Sequence, residues 1–338
     1  MLDRPALTDE RLTGCVMSAY GLSVKHIAFL PIGADPNTAV YRLIAADDRP
    51  YFLKLRRGAF AETSVTLPKF LSEQGLAAII APLTTRRGGL WVELDDYRLI
   101  LYPFVEGRDG YQVTLSDQHW LDFGATLQRV HTLNLPLTLS QQIRSETYAP
   151  HWRDSVKCFL ERAAFENFAD PLAAQLAASL ILKRDELRAL IERTEHLAQA
   201  LRANPPHVVL CHSDLHAGNL LIGHDGAVHI VDWDDAILAP KERDLMYAGG
   251  GQFGSDRTPA EEERLFYRGY GSAPIDPLAL TYYRYERIIE DIAVECEQIF
   301  SNTVGPDDRA QEYEFFLSNF RPNGVLAIAY EADRARRI

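Results

Sequence analysis

The sequence predicts an α+β chain in two lobes: a five-stranded antiparallel sheet with one helix, then a mainly helical region. Three observations carry this expectation. Short β-branched and apolar runs alternate with turn-forming clusters through the first hundred residues. Helical periodicity takes over from residue 116, and one strand-like island at 208–233 interrupts the helical part. A chain of 338 residues has room for one large domain or two tightly joined ones with a substantial interior.

After a short opening helix, residues 26–31, 39–45 and 51–55 read as strands, separated by the turn-formers Gly33-Ala34-Asp35-Pro36-Asn37 and Asp47-Asp48-Arg49-Pro50. A helix is expected over 62–74, ending at Gly75, with Pro68 arguing against an unbroken one. Strands at 90–93 and 97–102 complete the sheet. Pro103, Gly107 and Gly110 then break the pattern, so the expected division is an N-lobe at 1–101, a hinge at 102–107 and a helical C-lobe at 108–338. Ser116 is placed to cap a helix whose apolar face is Trp120, Phe123, Leu127 and Val130. Residues 172–202 form an Ala/Leu-rich helical stretch, expected as two pieces.

Hydrophobic residues at 47% and charged residues at 24% are ordinary globular usage, which excludes disorder and fibrous repeats. A net charge of −12 repels nucleic acid and anionic lipid; it suits a cationic small-molecule substrate, or simply serves solubility. Cys15, Cys158, Cys211 and Cys296 stand too far apart for a metal clip or a redox pair and read as reduced thiols. With no secretory pattern and no apolar span, the expected setting is cytoplasmic with no membrane partner, as a monomer or weak dimer.

The chemistry concentrates in the island. A short apolar strand delivers the polar loop His212-Ser213-Asp214-Leu215-His216-Ala217-Gly218-Asn219, and a hairpin then leads to Ile230-Val231-Asp232-Trp233-Asp234. Phosphoryl transfer asks for metal ions on the phosphates and an acceptor oxygen held in line, and carboxylate and amide oxygens are the hard ligands Mg²⁺ takes. Asp214 and Asn219 have the Asp-x-x-x-x-Asn spacing of a kinase catalytic loop, and Asp232 stands where a second metal-binding carboxylate is needed. Either of the first two alone would more often just bond the backbone of a turn; three at this spacing point to chemistry. His216 fits a loop-bonding role as well as a ligand-contacting one.

Lys54 alternates out of the apolar strand at 51–55, as a lysine meeting ATP phosphates would, although an edge-strand lysine reads the same way. Its acidic partner is expected on the following helix, at Glu62 or, failing that, Glu73. Gly33 and Asn37 lie in the loop expected to fold over the phosphates, which has one glycine rather than a run. Pro103, Phe104 and Val105 are placed to meet adenine at the hinge, or to serve as a plain linker.

The loop motif with Ile230-Val231-Asp232-Trp233 resembles the signature of aminoglycoside phosphotransferases and related choline- and homoserine-kinase-like enzymes. That resemblance implies a bilobal protein-kinase-like fold using ATP and Mg²⁺, with Asp214 as base, Asn219 and Asp232 as Mg²⁺ ligands and His212 as loop organiser. Residues 238–246, Gly249-Gly250-Gly251, 282–293 and 31–37 are similar to the spectinomycin phosphotransferase branch. The implied reaction moves the γ-phosphoryl of ATP to a hydroxyl of a cationic aminocyclitol, spectinomycin foremost. Asp234, Asp235, Glu286 and Asp291 are the candidates to hold its ammonium groups, while Arg287 and Asp291 also have the i,i+4 spacing of a plain helix pair. Two alternatives stay open: a kinase of choline, homoserine or a sugar on the same fold, and a catalytically silent nucleotide-binding protein.

Overall fold

Period-two alternation near the start of the chain becomes one antiparallel sheet. The computed structural model describes residues 4–337, excepting 34, 36, 255, 256 and 302–304. In chain order come α1 (Asp9–Tyr20), β1 (Val24–Leu30), β2 (Thr38–Ala45), β3 (Pro50–Arg57), α2 (Thr63–Glu73), β4 (Val92–Leu94), β5 (Tyr97–Pro103) and β6 (Gly107–Asp109). Next are α3 (Asp117–Thr132), the single turn α4 (Leu137–Ser140), β7 (Arg144–Ser145), α5 (His151–Phe165), α6 (Pro171–Leu182), α7 (Arg184–Ala203) and β8 (Val209–Cys211). The chain ends with β9 (Leu220–Gly223), β10 (Val228–Ile230), β11 (Ile237–Ala239), α8 (Glu242–Leu245), α9 (Pro259–Tyr270), α10 (Pro277–Ser301), α11 (Pro306–Ser318) and α12 (Val325–Arg337).

Two compact units share this chain without being contiguous along it. One is Met1–Leu115 with Leu133–Ile143 and Gly218–Ala236; the other is Ser116–Thr132 with Arg144–Ala217 and Ile237–Ile338. The single expected division at 102–107 cuts the sequence once, whereas that segment, joining β5 to β6, lies inside the first unit together with the β9–β10 hairpin.

In the first unit the strands run in the order β1-β2-β3-β5-β4, all neighbours antiparallel. One sheet face presents Tyr41, Leu43, Leu53, Leu55, Leu99 and Leu101, which pack with Leu7 and with Leu12 and Val16 of α1. Helix α1 starts at Thr8, whose side chain accepts the Arg11 N–H, and stops at Gly21 in the left-handed region. Because side chains alternate along a strand, Lys54 and Arg56 project from the face opposite Leu53 and Leu55. Helix α2 runs through Pro68 unbroken. The proline costs about 3 kcal/mol in a helix interior; Val65, Leu67 and Leu71 are fully buried beside it, at about 1.5–3 kcal/mol each, and outweigh it.

The β9–β10 hairpin pairs Ile230 with Leu220, β6 adds to the far side of β9, and the Ile230 N–H donates to the Ala78 carbonyl at 2.9 Å. The strands β6, β7 and β11 are two or three residues long, too short for any periodicity to show in the sequence.

The second unit is built around α10, 25 residues long and buried on several sides. Helices α5, α6, α7, α11 and α12 pack along it. The expected break in 172–202 falls at Lys183, between α6 and α7. Helices α3 and α9 approach closely because Gly124 faces the Phe266 carbonyl and Gly269 faces the Leu121 carbonyl, leaving no space for a Cβ. A small sheet, β7-β11-β8, ends at Cys211 and launches the polar loop. The four cysteines are free, and no helix among the described residues is long and apolar enough to cross a membrane.

Candidate active site

Cations and oxygen donors gather in the first unit. Lys54 Nζ lies 3.0 Å from Asp234 Oδ2 and 3.4 Å from Asp232 Oδ1. Arg56, two positions along the same strand face, also donates to Asp234 and comes within 3.8 Å of Asp35. Burial would favour the neutral amine of Lys54, but Asp232 and Asp234 outweigh it and hold the ammonium more firmly protonated than usual. Burial likewise works against an ionised Asp234, and Lys54 and Arg56 together bring its carboxyl below the usual range.

The sequence expected the acid facing Lys54 on α2. Glu62 is instead exposed at the start of that helix without a side-chain capping bond, and Glu73 pairs with Lys69 at 3.3 Å. The acids come from the turn after β10, which the Ile230–Ala78 bond ties to the segment following α2.

Asn219 is buried, and its carbonyl accepts the Val231 N–H at 3.0 Å, so the side chains of Asn219 and Asp232 stem from adjoining ends of the hairpin. Asp232 is left-handed, φ 63°, a conformation Asp tolerates better than most residues. An amide oxygen and a half-exposed carboxylate are hard oxygen donors, the type Mg²⁺ takes.

Gly33, φ 102°, begins the loop between β1 and β2; Ala34 and Pro36 lie outside the described residues. Asn37 is exposed, its N–H donating to Asp35 Oδ1 and its carbonyl accepting the Arg57 N–H. Pro103 closes β5 opposite Tyr51. The Phe104 N–H reaches the Pro50 carbonyl at 3.4 Å, its ring packs near Phe52, and Arg42 lies over it; Val105 follows, half-buried.

The second unit holds the polar loop after β8. Asp244, fully buried on α8, accepts the N–H of His212 at 2.9 Å and of Ser213 at 2.7 Å, and His131 Nε2 lies 3.0 Å from it. Tyr247 donates its hydroxyl to the Ser213 carbonyl at 2.9 Å. These bonds hold Ser213 at φ 74°, a conformation costing roughly 1–3 kcal/mol outside glycine. His212 is buried, and its Nδ1 accepts the Asp214 N–H at 3.3 Å. The loop is fixed from three sides.

Asp214 is thereby presented with Arg287 Nη1 at 2.6 Å from Oδ1, the Tyr247 hydroxyl at 3.4 Å from the same oxygen, and His216 Nε2 at 3.5 Å from Oδ2. Burial would raise the Asp214 carboxyl, yet the hydrogen bond with His216 and the Arg287 guanidinium prevail and hold it far below the usual carboxylate range. At neutral pH the group is an anion that can accept a proton.

The four acids expected at a substrate ammonium are placed differently from one another. Asp234 is neutralised by Lys54 and Arg56 of its own unit, and Asp235 is exposed in the turn beside it. Glu286 is buried on α10 against Arg153 Nη1 at 2.6 Å; burial pushes its carboxyl up to about 7 although Arg153 opposes. Asp291 accepts from Arg287 Nε at 2.8 Å, so the i,i+4 pair does form. Arg287 itself went unassigned, because its partner Asp214 is 73 positions away and no local pattern marks the contact. Arg56 also went unassigned, although its alternation onto the Lys54 face of the strand is a signal that could have found it.

The sequence matches the phosphotransferase enzyme family over residues 27–281. Spectinomycin phosphotransferase APH(9)-Ia, solved in complex with ADP and spectinomycin, is 33% identical, covering 98% of this chain and 100% of its own at a TM-score of 0.90. Protein StrN of Streptomyces griseus is 26% identical over 229 residues, 64% of this chain and 67% of that protein. Amicoumacin kinase hAmiN, solved with AMP-PNP, Ca²⁺ and Ami, is 18% identical, covering 94% of this chain and 95% of its own at a TM-score of 0.61, a likeness of fold alone. The fold is that of the α+β, protein-kinase-like phosphotransferases, and the chain belongs to the phosphotransferase enzyme family.

Proposed function

We propose that this phosphotransferase moves the γ-phosphoryl group of ATP to a hydroxyl of spectinomycin or a closely similar aminocyclitol. The observation that carries the reading is Asp214: an anchored, ionised carboxylate on a strained loop, five positions before Asn219 in the chain. Likeness along nearly the whole chain to a protein solved with ADP and spectinomycin supports the nucleotide and the acceptor.

In this reading Asp214 receives the acceptor hydroxyl's proton as the oxygen bonds to the γ-phosphorus and the bond to the β-phosphate bridging oxygen breaks, releasing ADP. Lys54 offers its ammonium to phosphate oxygens, and Asn219 with Asp232 would hold Mg²⁺, which when bound neutralises charge on the phosphates. Glu290 and Asp291, half-buried acids on α10 beside Arg287, lie near Asp214 and suit a cationic acceptor.

The test is ADP release measured against a panel of spectinomycin, other aminocyclitols, choline, homoserine and sugars, with the phosphorylated oxygen located by ³¹P NMR. Spectinomycin is expected to stimulate release above all others, and Asp214→Ala to lower kcat by about 10²-fold or more while nucleotide affinity stays within a few-fold. Full turnover in that variant would remove Asp214 as base; stimulation by choline or a sugar alone would replace the acceptor.

A further inference from the structure

Arg287 is the one cation of α10 that reaches the polar loop among the described residues, and it serves three acceptors at once. Nε donates to Asp291 Oδ1 at 2.8 Å, and Nη1 donates to Asp214 Oδ1 at 2.6 Å and to the Tyr247 hydroxyl at 2.8 Å, with the guanidinium lying 5.7 Å from the Tyr247 ring centre. Tyr247 in turn donates to the Ser213 carbonyl. Asp291 fixes the guanidinium, the guanidinium fixes Oδ1 of the Asp214 carboxylate, and His216 Nε2 lies 3.5 Å from Oδ2. The planar guanidinium reaches these three acceptors from two nitrogens in a fixed geometry, whereas a lysine ammonium offers its three donors from a single nitrogen on a flexible stem.

We propose that Arg287 is the positioning residue of the phosphotransfer base, aiming the Asp214 carboxylate at the acceptor hydroxyl from α10, with Asp291 as its anchor. This rests on the reading of Asp214 as base. It also gives Asp291 a role different from holding a substrate ammonium. The charged and titratable groups facing Asp214 are His212 and His216 from its own loop, Tyr247 from the segment after α8, and Arg287, Glu290 and Asp291 from α10. Arg287 is the only fixed positive charge in that set, so without it the His216 hydrogen bond alone opposes burial and two like charges, and the proton affinity of Asp214 rises.

Two measurements test the proposal. In ¹³C NMR of protein labelled at aspartate Cγ, with the Asp214 resonance assigned by its loss in Asp214→Asn, the wild-type signal is expected to stay flat down to pH 4. In Arg287→Met its midpoint is expected to move up by about one pH unit or more, into or above the ordinary carboxylate range. In steady-state kinetics with ATP, Mg²⁺ and spectinomycin, Arg287→Met is expected to lose about 10-fold or more in kcat and to gain an acid limb, with KM for ATP within about 2-fold. Arg287→Lys should keep the wild-type titration, because the charge remains, without recovering kcat, because the fork is lost.

If Arg287→Met does not fold, Asp291→Asn loosens the anchor while keeping the guanidinium, and is expected to lower kcat with little change in the titration. An unchanged Asp214 titration in Arg287→Met, or losses of kcat and ATP affinity in equal proportion, overturns the proposal. Full activity of Asp214→Ala would overturn the base assignment instead, and the NMR arm, which needs no acceptor, still decides whether Arg287 holds Asp214.

Discussion

Asp234 and Asp214 are both carboxylates beside arginine, and their neighbours give them different work. Asp234 shares Lys54 and Arg56, two cations on one oxygen; Asp214 has the Arg287 guanidinium on Oδ1 and His216 beside Oδ2. Lys54 is held between Asp232 and Asp234 at 3.4 and 3.0 Å, and in the proposed reaction it exchanges carboxylate partners for phosphate oxygens. Lys54→Met is therefore expected to lower kcat/KM for ATP by about 10²–10³-fold. Titration calorimetry with nucleotide separates lost binding from lost chemistry, and urea unfolding reports any stability lost where Asp232 and Asp234 become uncompensated. Unchanged nucleotide kinetics would mean the ammonium serves only the sheet. Asp214, Asn219 and Asp232 could be singled out as candidates because they lie within one short stretch. Glu62 misled because helix adjacency in sequence says nothing about which acid reaches a strand face.

Glycine marks where elements meet closely and where they do not. A Cβ at Gly124 in α3 or Gly269 in α9 would run into main-chain atoms of the opposing helix, whereas Gly14 in α1 has open space around it. Gly124→Ala is accordingly expected to destabilise by about 1–3 kcal/mol or more through forced separation of the two helices. Gly14→Ala is expected to stabilise by up to about 1 kcal/mol through helix propensity. Calorimetric melting of the two variants beside the wild type checks the contrast, and a stabilising Gly124→Ala would show that α3 and α9 have slack. The five main strands and the break at Lys183 were legible because alternation and helix periodicity are local. The persistence of α2 through Pro68 was not, because burial against neighbouring elements settled it.

At the scale of the whole molecule, one buried acid ties stability to pH. Glu295 on α10 is buried, the Asn319 amide donates to its two oxygens at 3.3 and 3.2 Å, and burial pushes its carboxyl up to about 9. The folded state keeps the proton that the unfolded chain releases above its ordinary value of 4.5. The stabilisation is complete below that value and is lost progressively as pH rises toward about 9. Glu295→Gln keeps an acceptor for Asn319 and removes the titration, so its melting temperature should exceed the wild type's at pH 8, with the gap closing below pH 4.5. Parallel melting curves across that range would show Glu295 to be ionised in the native state.

The sequence by itself determined the sheet, the helical character of the rest and the loop that carries Asp214, because hydrophobic alternation, turn chemistry and a fixed Asp-to-Asn spacing are properties of neighbouring residues. Only the tertiary structure decided the partners of the charged groups. Asp234 meets Lys54 across 180 positions and Arg287 meets Asp214 across 73. Such contacts depend on which buried faces pack together, and a charge is recruited by whatever counter-charge that packing brings near.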